Sequence, residues 1–239
     1  PHGRALLLDA WFGLAPLVLC ASLIAGSLGC SDGDPEANIV LTEAEQVVLT
    51  SLSPVPPPPA SPTNAWADDP NAAKLAHALF FDKRLSVNGQ IACSTCHNPD
   101  KWFADERKTA KGLTVTSRHT PTVLGASHVP WLFWDGRADS LWAQALGPLE
   151  NPKEQGTNRL AVLHLIGAHH RPAWEAAFGP WPDLSDNARF PQNARPVVDD
   201  ATDPHGEAWM AMASADRALV NELFSKVGKA IAAYERLLV

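Results

Sequence analysis

The run Cys93-Ser94-Thr95-Cys96-His97 constrains this chain more than any other feature. Two thiols three residues apart can add across the two vinyl groups of a haem, and the histidine that follows then lies beneath the iron as its axial ligand. The motif predicts one covalent haem c on Cys93 and Cys96, with His97 on the iron. Covalent attachment keeps a cofactor that an exported protein could otherwise lose. Paired cysteines serve two other chemistries. A structural zinc site needs four ligands, usually with a second Cys or His pair at short spacing, and no cysteine follows Cys96. A thioredoxin-like redox pair opens a helix after a buried strand, and Ser86 to Ala92 makes a poor central strand.

The opposite iron face decides what the haem does. An electron carrier usually fills it with Met or His. The only methionines, Met210 and Met212, lie far along the chain in what reads as a polar, loop-like stretch. His119 and His128 are nearer, and His119 is the candidate sixth ligand. Without a histidine there, the face is open and the iron reactive.

The rest of the chain reads as an exported, mainly helical protein. Arg4 precedes an apolar segment from about Leu6 to Gly29, an export signal in form. Ser27-Leu28-Gly29-Cys30 resembles a lipoprotein box, with Cys30 as the lipidated residue; an uncleaved membrane anchor is the alternative. Residues 31–63 form a polar and proline-rich linker with a short helical run at Ala44, Val47, Val48 and Leu49, and the haem domain spans 64–239. A net charge of −7 excludes the basic patch that nucleic acid requires. With 21 prolines the chain must have many turns and short helices, and 9 tryptophans suit packing around something large and flat. Asp69-Pro70 caps a helix carrying Ala72, Leu75, Leu79 and Phe80. Short helices follow at Ser140 to Leu146, Thr157 to Ile166 and Pro172 to Phe178, the last stopped by Gly179-Pro180. Asp216 can cap a final helix through Leu219, Leu223, Val227, Ile231, Tyr234 and Leu238. Few alternating strands are visible. The expected fold is a cytochrome c-like helical domain with long loops around the haem. Pro1 in place of Met, and a final helix without cap or tail, suggest a fragment.

Several ordered motifs carry a family resemblance over about Asn71 to Val239. Leu79-Phe80-Phe81-Asp82-Lys83-Arg84-Leu85-Ser86, the Cys93–His97 run, Arg118-His119-Thr120-Pro121-Thr122, and Phe133-Trp134-Asp135-Gly136-Arg137-Ala138 resemble the bacterial di-haem cytochrome c peroxidase and MauG family. Leu141, Gln144, Ala145, Gly147, Pro148 and then Glu154 continue the match, and Lys229 to Arg236 is similar to the helix leading into the second haem domain.

The resemblance implies roles. His97 matches the proximal ligand of the peroxide-reacting haem. Gln144 and Glu154 match distal-side residues, Glu154 moving a proton between the peroxide oxygens and Gln144 holding peroxide or water. Trp134 matches the tryptophan between the two haems. Asp135 and Arg137 read first as an ion pair around a tight turn. Leu113 stands where many peroxidases have a histidine that blocks the oxidised resting iron, so this haem should need no reductive unblocking. His119 stands where the family has a calcium-binding Asn, which removes one ligand from an implied calcium site. Gln155 replaces the common Met without a clear consequence. The second haem motif and its domain are not in this sequence. Three readings follow: the peroxidatic half of a periplasmic peroxidase fed by a small c-type cytochrome or cupredoxin; a MauG-type enzyme oxidising residues of a partner protein; and a non-catalytic mono-haem electron-transfer module with a strong sixth ligand such as His119 or His128.

Overall fold

A computed structural model describes residues 40–52, 54–197, 200 and 202–239. The expected export signal and the lipid site at Cys30 lie outside these residues. The chain divides after Ser51. In the first unit, α1 (Glu43–Ser51) starts on a reciprocal cap in which Glu45 accepts from the Thr42 backbone N–H at 2.8 Å, and none of its side chains is buried. No described helix is long and apolar enough to cross a membrane.

The second unit, from Leu52 on, is helical, and its described residues form only isolated β-bridges. Its helices are α2 (Pro70–Phe80), the single turn α3 (Cys93–Cys96), α4 (Leu141–Glu150), α5 (Arg159–His169), α6 (Arg171–Phe178), α7 (Pro204–Ala211) and α8 (Ser214–Glu235). α2 forms where expected: the Asp69 side chain accepts from the N–H groups of Asn71 and Ala72, and Pro70 occupies the first turn, where no donor is needed. α5 starts on Asn158, which accepts from the Ala161 N–H.

α8 organises the unit, packing against α2, α4 and α5. Val220, Leu223, Val227 and Ile231 from α8 bury against Leu75, Leu79 and Phe80 of α2, Leu149 of α4, and Leu160, Leu163 and Ile166 of α5. Each fully buried aliphatic side chain contributes roughly 1.5–3 kcal/mol. α4 and α8 approach closely because Gly228 has no side chain: a Cβ there would strike the Trp142 carbonyl and lie 2.9 Å from Leu146 Cγ.

Two expectations are corrected. The stretch holding Met210 and Met212 is not a loop: Asp203 and Pro204 start α7, and Met212 is buried as the residue that ends it. Its hydrophobic pattern is too weak for periodicity to find, whereas the Asp-Pro start signal was present. Asp216 does not cap α8. The helix begins at Ser214 with no side-chain cap, and Asp216 instead pairs with Arg189 at 2.6 Å. Two hydrogen bonds join the end of α8 to the chain ahead of α2. Arg236 donates to the Pro59 carbonyl at 2.7 Å, and Asn64 donates to the Lys229 carbonyl at 3.0 Å.

One polar cluster fixes the chain on its way to the cysteine pair. Asp82 accepts from Arg84 at 2.7 Å and faces His170 Nε2 at 2.8 Å. Burial alone would raise the Asp82 carboxyl, but hydrogen bonds from Arg84 and His170 outweigh it and hold the group well below the usual carboxylate range. Because the folded value lies below the unfolded one, this stabilisation is complete above about pH 4 and drains away as pH falls. Asp82→Asn should therefore cost roughly 2 kcal/mol near neutral pH. In thermal melts the gap between variant and parent should close in strong acid; a gap that persists there would show that the charge is not responsible. Gly228→Val should lower stability by about 2 kcal/mol through overpacking of α4 against α8. An unchanged melting temperature would mean that the helices are not held at this distance.

Candidate haem site

The loop that delivers the cysteine pair is wound around one hydroxyl. Ser86, buried, donates to the Lys83 carbonyl at 2.9 Å and accepts from the N–H groups of Gln90 and Ile91. Gly89 takes a left-handed conformation that closes the turn. α3 then starts with the Ala92 N–H donating to Thr95 Oγ1 at 2.9 Å, and the His97 N–H donates to the Cys93 carbonyl at 2.9 Å. One helical turn thus sets Cys93, Cys96 and His97 together.

His97 Nδ1 lies 3.2 Å from the Phe103 carbonyl. As a donor, Nδ1 carries the proton and leaves Nε2 free as a ligand atom. Burial pushes the His97 imidazole below its ordinary value, against the carbonyls of Phe103 and Pro121 and the charge of Asp105. The ring is therefore neutral near pH 7, the form that binds metal. Phe80 of α2 lies 6.4 Å from it, centre to centre, which ties the site to the core.

Both cysteines are free thiols. Burial, and then the charge of Glu235, pushes Cys93 up to about 12, while a contact from Gln155 works the other way. Burial also raises Cys96. Thiols held protonated in this way are poor nucleophiles, which does not suit a redox-active pair. The surroundings do suit a bulky group bonded to both sulfurs. Asp105 Oδ2, Thr120 Oγ1, Gln155 Oε1 and Glu235 Oε2 are buried without a partner among the described residues. Each of these side chains reaches or acts on Cys93 or Cys96. Two thiols on one helical turn beside a preset neutral imidazole are the donor set that a covalent haem requires.

The sequence motifs that follow converge on the Cys96 side. The loop after α4 lies on Leu113: the Leu113 N–H donates to the Glu154 carbonyl at 3.0 Å, and a Cβ on Gly112 would collide with Glu154 Cα at 2.6 Å. The Glu154 carboxyl, half-buried, accepts from Asn151 Nδ2 at 2.8 Å. Burial raises it above its ordinary value, while the Asn151 hydrogen bond and the Arg137 charge oppose this. Arg137 lies 3.5 Å above the Phe133 ring, and that ring covers Gly147 of α4. Gln144 is half-buried one turn before Gly147, on the same face of α4.

Other calls end differently. His119 is exposed, on the segment whose Thr120 reaches Cys96 and whose Pro121 carbonyl acts on the His97 ring. That segment lies on the His97 side of the site. His128 is half-buried, with Nε2 buried and unpartnered. Trp134 is not packed into the core. It is 70% exposed, with the Arg118 guanidinium 3.8 Å above its ring. Asp135 and Arg137 pair at 2.7 Å around Gly136, whose φ is +68°. Among the described residues no three His, Cys, Asp or Glu side chains gather as metal ligands. Reading the sequence alone missed Asn151, Phe103 and Glu235. Asn151 had a signal, three residues before Glu154; Phe103 acts through its backbone and left none.

Comparison with known proteins shows the family. Residues 70–239 match the model of the di-haem cytochrome c peroxidase family. A methylamine utilization protein MauG of Methylorubrum extorquens is 39% identical over 129 residues, 52% of this chain and 35% of that protein. A cytochrome c551 peroxidase of Nitrosomonas europaea is 35% identical over 137 residues, 55% of this chain and 40% of that one. The chain thus spans well under half the length of these relatives. In fold it is similar to the diheme peroxidase BthA from Burkholderia thailandensis, with TM-score 0.51 and 24% identity over 70% of this chain and 38% of the other. A MauG-like protein associated with microbial copper homeostasis gives TM-score 0.54 and 24% identity over 77% and 44%. The chain belongs to the di-haem cytochrome c peroxidase family.

Proposed function

We propose that this chain carries one haem c on Cys93 and Cys96. In this reading it is the peroxide-reacting portion of a periplasmic enzyme that reduces hydrogen peroxide to water. Electrons come from a small c-type cytochrome or cupredoxin, through a second haem in the whole protein. The carrying observation is that an imidazole fixed through Nδ1 and a half-buried carboxyl, Glu154, both lie beside the Cys96 end of one turn of helix. The apolar segment ahead of Cys30 supports export, with Cys30 as a lipid attachment point.

A haem held by Cys93, Cys96 and His97 would supply the electrons that split the peroxide O–O bond. The protein's residues manage its position and the protons. Phe103 holds the His97 ring so that Nε2 is presented, and burial keeps that ring neutral. Hydrogen peroxide, two electrons and two protons give two waters. Glu154 takes a proton from the near oxygen and returns it to the far oxygen, which then leaves as water. Burial suits it to this task by raising its carboxyl toward neutrality, while Asn151 fixes one oxygen and leaves the other free to exchange the proton. Gln144 orients the peroxide from the same face of α4. Trp134, exposed and stacked under Arg118, offers the entry point for electrons.

One observation favours a second reading within the family. Leu113 packs against Gly156 and cannot ligate iron, so nothing at this position blocks the oxidised site. That suits a MauG-type enzyme, which would use peroxide to oxidise residues of a partner protein.

When the chain is exported in a host with haem-attachment machinery, the haem should resist acid–acetone extraction. The ferric protein should give a high-spin spectrum and react rapidly with peroxide. Glu154→Gln should slow that reaction by about 10²–10⁴-fold with haem content unchanged. Extractable haem would end the reading, and so would a low-spin spectrum indifferent to peroxide both as purified and after half-reduction. Oxidised side chains on a co-purifying protein, dependent on peroxide, would decide for the MauG-type reaction.

A further inference from the structure

Glu235 is a buried carboxyl that the proposed reaction does not use. It sits in the last turn of α8 at 5% exposure, and its Oε2 has no partner. No described cation neutralises it. The neighbouring Arg236 turns away to Asp68, at 2.8 Å, and to the Pro59 carbonyl. The elements packed on α8 bring few ionisable groups. α2 brings Lys74, which is exposed, and His77, which lies against the Tyr234 ring at 5.3 Å. α4 and α5 bring Glu150 and Arg159, paired with each other at 2.7 Å; α5 also brings His164, which faces the Phe190 carbonyl, and the exposed His169. The turn Ala126–His128 brings His128. The groups whose ionisation feels Glu235 are Cys93 of α3 and Tyr234 beside it. From another side, Gln155 Nε2 approaches Cys93 Sγ at 3.7 Å, while Gln155 Oε1 also lacks a partner. Cys93 is thus touched by Gln155 and feels the charge of Glu235, and each of these two side chains keeps one buried oxygen without a partner.

An uncompensated carboxylate in a dry interior is costly, and a proton removes the cost. Burial alone lifts this carboxyl to about 8. An electron arriving on a group bonded to Cys93 adds negative charge close by, and like charge favours the protonated acid further. We propose that Glu235 couples a proton to the electron: where its carboxyl is ionised in the oxidised protein, it takes up a proton when the group held by Cys93 and Cys96 is reduced, and releases it on reoxidation. The inference rests on the haem c reading. In the reduction step, ferric iron gains one electron from a one-electron donor, and one proton passes from solvent to a Glu235 oxygen. Reoxidation returns both. Within the pH range where Glu235 is ionised before reduction, this uptake would keep the interior charge constant.

An equilibrium redox titration of the exported, haem-loaded chain from pH 5 to 10 tests this, with chemical mediators as the donor. The reduction equilibrium should be flat in acid and then fall tenfold per pH unit, about 59 mV for a one-electron couple, over a window that opens near pH 8. Glu235→Gln should abolish that dependence and hold the potential near the acid limb of the parent. In the infrared, a protonated-carboxyl band should grow on reduction of the parent within the window. A pH-independent potential in the parent overturns the inference whether or not the variant folds. So does a slope unchanged in Glu235→Gln, which would assign the proton to another group such as His128. If no covalent haem is present, the haem reading falls and this inference with it; if haem is attached and the potential is flat, only this inference falls.

Discussion

A histidine that presents one ring nitrogen to iron must have the other held by something that does not move. Here that anchor is a backbone carbonyl, and the chain is contorted to supply it. Trp102 and Phe103 both sit at φ +55°, a region that bulky L-residues rarely enter. The turn is closed by the Phe103 N–H donating to the Asn98 carbonyl at 2.8 Å and by the Asn98–Ala104 bridge. Each such residue costs on the order of 1–2 kcal/mol. Backbone strain of this kind persists where the surroundings over-determine it, typically at a functional site. Phe133, in the motif that reaches α4, is strained in the same way at +64°. The rigid part of the site is thus built on irregular backbone, with helices serving as its support.

That support runs through a short chain of rings. Phe80 closes α2, and besides its neighbour Phe81 its ring faces His97, Phe103 and Tyr234, with ring centres at 6.4, 6.1 and 5.3 Å. It therefore joins His97 and its carbonyl anchor to α8, the helix that carries the core. Interiors at close packing transmit such constraints with little slack. The two sides of the site are held differently. The His97 side is fixed by aromatic packing and a strained turn. The Glu154 side is a loop fastened to Leu113 and Thr114 by backbone bonds, with a carboxyl that burial has pushed upward. Rigid metal geometry and an adjustable proton have separate supports.

The legible part of the sequence was the part written in local rules. Asp69-Pro70 marked α2 because capping and a missing proline donor act within one turn. Cys93, Cys96 and His97 were readable because their chemistry needs a fixed spacing. Gln144, Glu154 and Trp134 were nominated through family motifs, since a glutamate on a loop after proline is ordinarily a solvated charge. The structure adds what makes Glu154 unusual, namely burial and the Asn151 hydrogen bond. Errors came where tertiary partners overrode a local signal. Asp216 has the side chain of a cap, but Arg189 is a better partner for a carboxylate in that place. α7 was hidden because its apolar residues lack a helical stripe, so only its Asp-Pro start could have revealed it. Phe103 and Glu235 were unreadable in principle: one acts through a carbonyl, the other through the absence of a counter-charge.

That absence bears on how the site relates to its cofactor. In the unattached protein Cys93 is a thiol pushed up to about 12, with Glu235 as one cause, so the pocket is hostile to a thiolate. A thioether carries no proton and no charge, and the same surroundings accept it without penalty. Attachment would remove the one acidic proton at the Cys93 position and leave Glu235 as the buried acid beside it. The dry, uncompensated pocket is thus poorly suited to the free cysteine and well suited to the sulfur of a bonded haem. This difference in fit is a physical reason to read the paired cysteines as attachment points rather than as a reactive dithiol.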